Sequence, residues 1–275
     1  MARLAKFKYL RARVKDELLV WVNSPATTWL PLVGLTGALF ATLLAFGLKS
    51  AIHGRPHSAR VAQTGGTFLL GEFFMEWGLW VFAPFARFAV RLGLHPDTLS
   101  WTSLVLTIAA AALIGQGAFG LGGWLLLVGS ACDSLDGSVA RARGLASDAG
   151  ETLDAVIDRW AEIATFFGYA YYYRDDPMAF SIACAACAGA VLVSYTRAKG
   201  EGFGIDAKMG TMQRHERAAY LITATILSSI AEVVWPSAGR PRHLLVLGAL
   251  ALIAIFANWT GARRTAYIRA ELRKR

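Results

Sequence analysis

Charged side chains are scarce in this sequence. They make up 17% of the 275 residues, whereas 55% of the residues are apolar. An ordinary soluble domain carries roughly a quarter charged residues. Several segments run for about twenty residues with few charges, which is the length that a helix needs to cross a hydrocarbon core. The composition therefore excludes an ordinary soluble domain and predicts an all-α polytopic membrane protein.

Cysteine is also scarce, since the chain contains only three. They are Cys132, Cys184 and Cys187, and all three lie in apolar segments. Cys184 and Cys187 share a helix face, but structural metal sites normally use about four ligands such as Cys and His. We interpret the three residues as small buried thiols, which excludes a disulfide framework and a zinc module.

The net charge is +9, and the basic residues cluster beside apolar segments. In a soluble protein this charge would indicate a nucleic-acid partner. Beside membrane spans, Lys and Arg instead follow the inside-positive bias and contact anionic lipid heads. We therefore predict contact with membrane lipids and no nucleic-acid partner.

From Pro96 onward, apolar segments separated by Gly- or Pro-bearing breaks predict six helices. Their expected ranges are 97–117, 121–144, 150–173, 177–198, 214–235 and 242–262. The connections on one side, with the C-terminal tail, carry thirteen Lys and Arg, and those on the other side carry three. This bias predicts a multi-pass protein of the inner (cytoplasmic) membrane whose basic side faces the cytoplasm.

The N-terminal part differs from the six predicted helices. Residues 1–22 are basic and amphipathic, which is typical of a helix on the membrane surface. The apolar run at 27–48 is long for a signal peptide and lacks a small-x-small site after it, so we expect an uncleaved span. Residues 67–93 mix aromatic and charged residues, as an interfacial helix does. We divide the chain into residues 1–66 and a membrane domain at 67–275, and leave open how often 27–93 crosses the bilayer.

An acidic stretch interrupts the apolar pattern, although each charge in a membrane helix is costly. Asp133 and Asp136 share one face of a predicted helix, and Asp154 and Asp158 share one face of the next. A short turn at 144–148 joins the two helices, so they should be antiparallel neighbours. We expect the four carboxylates to surround one cavity near the cytoplasmic surface.

Four neighbouring carboxylates do not all stay ionised without compensation. Some could be protonated, as in proton carriers, or divalent cations could neutralise them. The oxygen-only ligand set favours Mg²⁺ or Mn²⁺. Small residues, Gly137, Ala140 and Gly150, lie on the same faces and leave room for a bulky ligand, although close helix packing is the alternative explanation. Arg141 at the rim could face a phosphate.

The acidic stretch resembles the signature of the CDP-alcohol phosphotransferase family, D-x2-D-G-x2-A-R-x8-G-x3-D-x3-D. All eight fixed positions match, and the resemblance extends over about residues 67–262. The matching residues are Asp133, Asp136, Gly137, Ala140, Arg141, Gly150, Asp154 and Asp158.

The resemblance implies a six-transmembrane-helix core, preceded here by an extra apolar segment, and usually a homodimer. It implies transfer of a substituted phosphate from a CDP-linked donor to an alcohol, with release of CMP. It also implies that two Mg²⁺ or Mn²⁺ ions bind to the enzyme. Asp133, Asp136 and Asp154 match the metal ligands. Asp158 matches the general base, which also contacts a metal. The residues that match the nucleotide surroundings are Gly137, Ala140, Arg141 and Gly150.

The segment HPDTLSW, residues 95–101, carries two further candidates. Pro96 and Asp97 suit the first turn of a helix, and a helix start explains them by itself. The family has a similar segment that helps to hold the nucleotide. The resemblance therefore implies that Asp97 and Ser100 contact CDP.

Basic residues flank a glycine-bearing loop within 194–217 on the predicted cytoplasmic side. Inside-positive anchoring explains many of them. The alternative is a phosphate pocket for the acceptor, formed by Arg197, Arg214 and Arg217. This stretch partly resembles the inositol-phosphate region of phosphatidylinositol-phosphate synthases. The resemblance implies CDP-diacylglycerol as donor and a polyol phosphate as acceptor, with inositol 3-phosphate favoured over glycerol 3-phosphate.

Three alternative functions follow from the same residues. A choline- or ethanolamine-type phosphotransferase would use a diacylglycerol acceptor, which needs no basic pocket. A cation or proton transporter would also place acids in the membrane, but near its midplane and often with helix breaks and repeated halves. An inactive structural relative is disfavoured because all four aspartates are retained.

Overall fold

In the computed structural model, residues 25–54, 72–207, 209–236 and 242–275 are described, and every regular element within them is an α-helix. This confirms the all-α class. The predicted basic helix at 1–22 lies outside the described residues. The helices in chain order are α1 (Pro25–His53), α2 (Glu72–Arg91), α3 (Pro96–Gly115), α4 (Phe119–Ala142), α5 (Asp148–Tyr172), α6 (Pro177–Gly202), α7 (Arg214–Val234) and α8 (Leu244–Leu272).

Four of the described helices are long and apolar enough to cross a membrane, namely α3, α6, α7 and α8. The helices α4 and α5 fall outside that group because their carboxylates lower the mean hydropathy of their sequences. The six segments predicted from Pro96 onward thus correspond to α3 through α8. The structure supports a membrane protein, while six crossings stay a prediction.

The last helix is longer than predicted. The sequence indicated an end at residue 262, whereas α8 continues for ten residues more, to Leu272. The segment after 262 contains no Gly or Pro to stop a helix. Arg264 and Ile268 in this extension are buried, so packing also favours the helical conformation. Of the basic residues counted as a tail, Arg263, Arg264 and Arg269 are therefore part of this helix, and the last three follow it.

The chain forms two compact units, and α1, α3, α4 and α5 each contribute to both. The C-terminal unit contains 107–127 and 162–275 together with the start of α1 as far as Pro31, and the N-terminal unit contains 32–106 and 128–161. The C-terminal unit holds the larger core, which includes Phe119, Tyr169 and Leu250 with no exposed side-chain surface.

Close packing of α6 against α8 supports the C-terminal unit. Small residues line one face of α6 at helical spacing, and they are Ala179, Ala183, Ala186 and Ala190. At Gly189 a Cβ atom would lie 2.6 Å from Nδ2 of Asn258, so only glycine allows this approach. Small residues at such contacts let membrane helices associate through van der Waals packing.

In the N-terminal unit, α4 and α2 hold the start of α3. Val139 of α4 packs with Ala89 of α2 and Leu99 of α3. Arg143 Nη1 donates hydrogen bonds to the carbonyl oxygens of Gly93 and Leu94, at 3.0 and 2.7 Å. These contacts fix the turn between α2 and α3 and thereby place the first turn of α3.

Candidate active site

Three aspartate side chains converge in the N-terminal unit. One carboxylate oxygen from each of Asp133, Asp154 and Asp158 lies within 4.8 Å of the other two. Asp133 belongs to α4 and the other two to α5. The helices run side by side because a short turn joins them, with Gly144 at a φ of 66° that favours glycine. The expected meeting of the two acidic faces is therefore present for these three residues.

Asp136 lies on α4 but outside this group of three. Its Oδ2 accepts a hydrogen bond of 2.6 Å from the Ser100 hydroxyl, and its Oδ1 accepts one from the backbone N–H of Gly137. Its side chain is buried. Two hydrogen bonds thus hold the Asp136 carboxylate in place, and one of them comes from α3, far away in the sequence.

A cavity of about 840 Å³ lies within the N-terminal unit, and Asp136 and Asp154 are among its lining residues. Asp133 and Asp158 do not line it, so the cavity is not surrounded by all four aspartates as expected. It is lined by the start of α3, the end of α4, the following turn and the start of α5. All six residues predicted to contact the nucleotide line this cavity, although that role stays a prediction. They are Asp97, Ser100, Gly137, Ala140, Arg141 and Gly150.

Two features of the cavity wall suit a phosphate group, namely the Arg141 side chain beside Gly137 and the N-terminus of α5. A Cβ atom at Gly137 would lie 3.3 Å from Nη1 of Arg141, so the glycine accommodates that side chain. At the start of α5, the Ser147 hydroxyl accepts a hydrogen bond of 3.2 Å from the Gly150 N–H, as an N-cap residue does. The remaining first-turn amides have no intrahelical acceptor, and a helix N-terminus favours anions. The arrangement suits a phosphate group.

His95 and Ser147 are among the lining residues that the sequence-based predictions did not name. His95 precedes α3, and its Nδ1 lies 3.6 Å from Oδ2 of Asp97. Ser147 precedes α5 at a spacing that is typical of a helix N-cap. The Ser147 signal was present in the sequence, whereas the position of His95 depends on the turn that Arg143 holds.

The three converging carboxylates fit a hard divalent cation. They offer only oxygen ligands, which Mg²⁺ and Mn²⁺ prefer, and like charges so close together need compensation. Asp133, Asp154 and Asp158 would hold such an ion, with Asp136 one helical turn from Asp133. A bound ion would stabilise negative charge that develops on phosphate oxygens.

The predicted acceptor arginines lie in the C-terminal unit and have different environments. Arg217 is only 1% exposed, its Nε and Nη2 donate to Oε1 of Glu162 at 2.8 and 2.5 Å, and its Nη1 donates to the Met212 carbonyl. Arg197 is exposed and pairs with Glu201 at 2.9 Å. Inside-positive anchoring would leave these arginines at the membrane surface, whereas Arg217 is buried. A buried charge is retained at low cost only when it is paired.

Arg264 of α8 is a further buried arginine. It was not predicted as a site residue, because the basic residues after position 262 were assigned to a C-terminal tail. Its Nε and Nη1 donate to the carbonyl oxygens of Met209 and Val193, each at 2.8 Å. It lies within electrostatic range of Arg197 and Arg217. Three helices of the C-terminal unit thus each place one arginine in the same region.

Comparison with known proteins places this site in a known family. Residues 93–260 match the family model described as CDP-alcohol phosphatidyltransferase. The phosphatidylinositol phosphate synthase of Cutibacterium acnes is 29% identical over 204 residues, covering 71% of this chain and 98% of the relative.

Two crystal structures of the Mycobacterium tuberculosis phosphatidylinositol phosphate synthase have a similar fold. The complex with manganese and citrate has a TM-score of 0.60 and 25% identity, covering 68% of this chain and 88% of the other. The complex with CDP-DAG has a TM-score of 0.59 and 25% identity, covering 68% and 93%. These solved structures cover about the same share of this chain as the Cutibacterium acnes relative does.

If the carboxylate cluster binds a metal ion, substitution of one of its aspartates should lower the metal affinity of the protein. Asp154→Asn removes one of three converging charged ligands, so we expect Mn²⁺ affinity to fall at least tenfold, by analogy with metal-site changes of 10- to 100-fold. Electron paramagnetic resonance of free Mn²⁺ measures the affinity in detergent. The matched control is Asp175→Asn, which removes an exposed acid from the turn before α6 and should leave it unchanged. Equal losses in both variants would contradict the site.

Proposed function

The chain belongs to the CDP-alcohol phosphatidyltransferase family, and we propose that it transfers a phosphatidyl group from CDP-diacylglycerol to a hydroxyl of a small polyol phosphate, releasing CMP. Inositol 3-phosphate is the favoured acceptor, in line with relatives named phosphatidylinositol phosphate synthase. The observation that carries the proposal is the convergence of three aspartates, one of which, Asp154, lines a cavity of about 840 Å³. The protein is thus a metal-dependent transferase of phospholipid synthesis.

The donor occupies the cavity of the N-terminal unit. Its cytidine and diphosphate lie among the six predicted nucleotide residues, near Arg141 and the start of α5. A guanidinium and a helix N-terminus both bind phosphate oxygens well. Two divalent ions, Mg²⁺ or Mn²⁺, bind at the aspartates, with Asp133, Asp136, Asp154 and Asp158 as ligands. When bound, such ions stabilise charge on the diphosphate.

Asp158 acts as the general base. The acceptor hydroxyl oxygen attacks the phosphorus that carries diacylglycerol, the bond from that phosphorus to the CMP oxygen breaks, and the hydroxyl proton passes to the Asp158 carboxylate. The Asp158 side chain is only 7% exposed, so it is shielded from bulk water. Ser100 holds Asp136 in one orientation, which keeps the neighbouring ligand set in place.

The acceptor phosphate binds to arginines of the C-terminal unit. Arg197, Arg214 and Arg217 supply the positive charge, and Arg264 adds to it. Glu162 fixes the orientation of Arg217, so the ordering of that side chain occurs on folding rather than on binding. A phosphorylated acceptor benefits from this charge, and therefore a polyol phosphate fits better than a diacylglycerol acceptor, as in choline- or ethanolamine-type enzymes. Glycerol 3-phosphate is the second candidate.

The fold around the site follows the family pattern. We place a six-helix membrane core in α3 through α8, within a membrane domain at 67–275, and treat residues 1–66 as an addition to it. The protein lies in the inner (cytoplasmic) membrane as a homodimer, with the active site facing the cytoplasm. Membership of a transferase family argues against the transporter hypothesis.

The test is CMP release by the purified protein from CDP-diacylglycerol, with Mn²⁺ or Mg²⁺ and a panel of polyol phosphates. We expect the highest kcat/KM with inositol 3-phosphate and no release without a divalent ion. A higher kcat/KM with glycerol 3-phosphate would change the acceptor assignment. Absence of CMP release with every acceptor, together with ion flux in proteoliposomes, would contradict the transferase assignment and favour a transporter.

Asp158→Asn serves as the matched inactive variant in that assay. We expect no measurable CMP release from it, because the amide accepts no proton at neutral pH, while CDP binding is largely kept. Normal turnover in this variant would remove Asp158 from its role as base.

A second prediction separates acceptor from donor binding. Arg214 is half-buried at the first position of α7. Arg214→Ala removes a charge-assisted hydrogen bond worth about 1.5–3 kcal/mol, so the KM for the acceptor should rise roughly tenfold or more, with little change for CDP-diacylglycerol. Steady-state kinetics with each substrate varied in turn measures both values. Equal rises in the two KM values would remove the pocket assignment.

A further inference from the structure

The segment 209–212, which lies between α6 and α7, is held by side chains of α8. The Thr260 hydroxyl donates a hydrogen bond of 3.0 Å to the carbonyl oxygen of Thr211. Four residues further along α8, Arg264 Nε donates a hydrogen bond of 2.8 Å to the carbonyl oxygen of Met209. Side chains four residues apart lie on one face of a helix. One face of α8 therefore fixes two of the four carbonyl groups in this segment.

The backbone of the 209–212 segment needs such contacts to keep its conformation. Gly210 and Met212 have φ angles of 108° and 62°, and a left-handed φ is uncommon for a residue that carries a side chain. Such a conformation persists only where the surrounding structure holds it. The Met212 side chain belongs to the core of the C-terminal unit, and the Met212 carbonyl oxygen accepts a hydrogen bond from Arg217 Nη1. An added Cβ atom at Gly210 would overlap with Cγ2 of Thr260, so the segment lies close against α8.

The same segment orients two of the arginines that are assigned to the acceptor phosphate. Arg264 is only 2% exposed, and its Nε and Nη1 donate to the carbonyl oxygens of Met209 and Val193. These bonds use two of the five N–H donors of a guanidinium group and fix the plane of the group. Arg217 is tied to the segment through the Met212 carbonyl. A shift of the segment would therefore change the orientation of both guanidinium groups.

We propose that Thr260 is a positioning residue for the acceptor site, because its hydroxyl and methyl groups hold the 209–212 segment and thereby orient Arg264 and Arg217. This inference rests on the proposed function, which assigns the acceptor phosphate to these arginines. Guanidinium groups bind phosphate oxygens best through paired N–H donors, which requires a defined orientation. Thr260 acts through the segment and makes no contact with the acceptor.

Two substitutions at Thr260 separate the role of its hydroxyl from the role of its shape. Thr260→Val keeps the shape and removes the hydrogen bond to Thr211, so the KM for inositol 3-phosphate should rise roughly three- to tenfold, the range expected when one neutral hydrogen bond is lost. The KM for CDP-diacylglycerol and the kcat at saturating acceptor should change little. Thr260→Ser keeps the hydroxyl and should restore most of the acceptor affinity. Steady-state CMP release by the purified full chain measures all three values.

Thr265 offers a matched control on the same helix. Its hydroxyl donates a hydrogen bond of 2.9 Å to the Gly261 carbonyl, within α8 and away from the 209–212 segment. Thr265→Val should therefore leave both KM values unchanged. Equal rises of the acceptor KM in Thr260→Val and Thr265→Val would overturn the proposal, and so would equal rises of the acceptor and donor KM in Thr260→Val.

Gly210→Ala displaces the segment from its other side without removing a hydroxyl, and it should also raise the acceptor KM more than the donor KM. Thermal unfolding in detergent checks that each variant is folded. An unchanged acceptor KM in folded Thr260→Val would overturn the role of Thr260 while leaving the transferase assignment intact. Absence of CMP release from the wild-type protein with every polyol phosphate would overturn the proposed function and this role together.

Discussion

Repulsion among closely spaced, partly buried carboxylates is the constraint on which the candidate active site depends. Asp133, Asp154 and Asp158 approach within 4.8 Å, a spacing at which ionised groups need compensation. The helices α4 and α5 meet there because a short turn with Gly144 joins them. Neighbouring features fit the same constraint, since Asp136 is held by a hydroxyl and a backbone amide, and the oxygen-only ligands suit a divalent cation. The three carboxylates therefore form a cluster that fits a divalent cation, beside a cavity that Asp136 and Asp154 line.

Buried positive charge in the C-terminal unit likewise needs compensation, here from carboxylate and carbonyl partners. Arg217 is buried, and it is stable there because Glu162 pairs with it and the Met212 carbonyl accepts a further hydrogen bond. Arg264 is also buried, and it has two backbone carbonyl partners instead of a carboxylate. Both arginines are thus held by partners within the folded chain. Under the proposed function, such fixed groups would bind the acceptor phosphate with little further loss of side-chain freedom.

Local spacing allowed much of the site to be predicted from the sequence. The steps of three and four residues between aspartates, and the short turn, indicated that two acidic faces meet. The contact of Ser100 with Asp136 was not predictable in this way, because 36 residues separate them and only the packed fold brings them together. Arg264 was missed for a similar reason, since a basic residue after an apolar run is typical of a membrane anchor. The end of α8 was misplaced because burial of Ile268, which the sequence pattern does not reveal, extends the helix.

Anomalous X-ray scattering at the manganese absorption edge tests the central claim most directly. Crystals of the full chain grown with Mn²⁺ and CDP-diacylglycerol should give strong anomalous density between the carboxylates of α4 and those of α5, within coordination distance of Asp133 and Asp154. The diphosphate of the donor should lie within coordination distance of the same manganese position. Anomalous density confined to other parts of the protein, with the diphosphate bound away from these aspartates, would contradict the account.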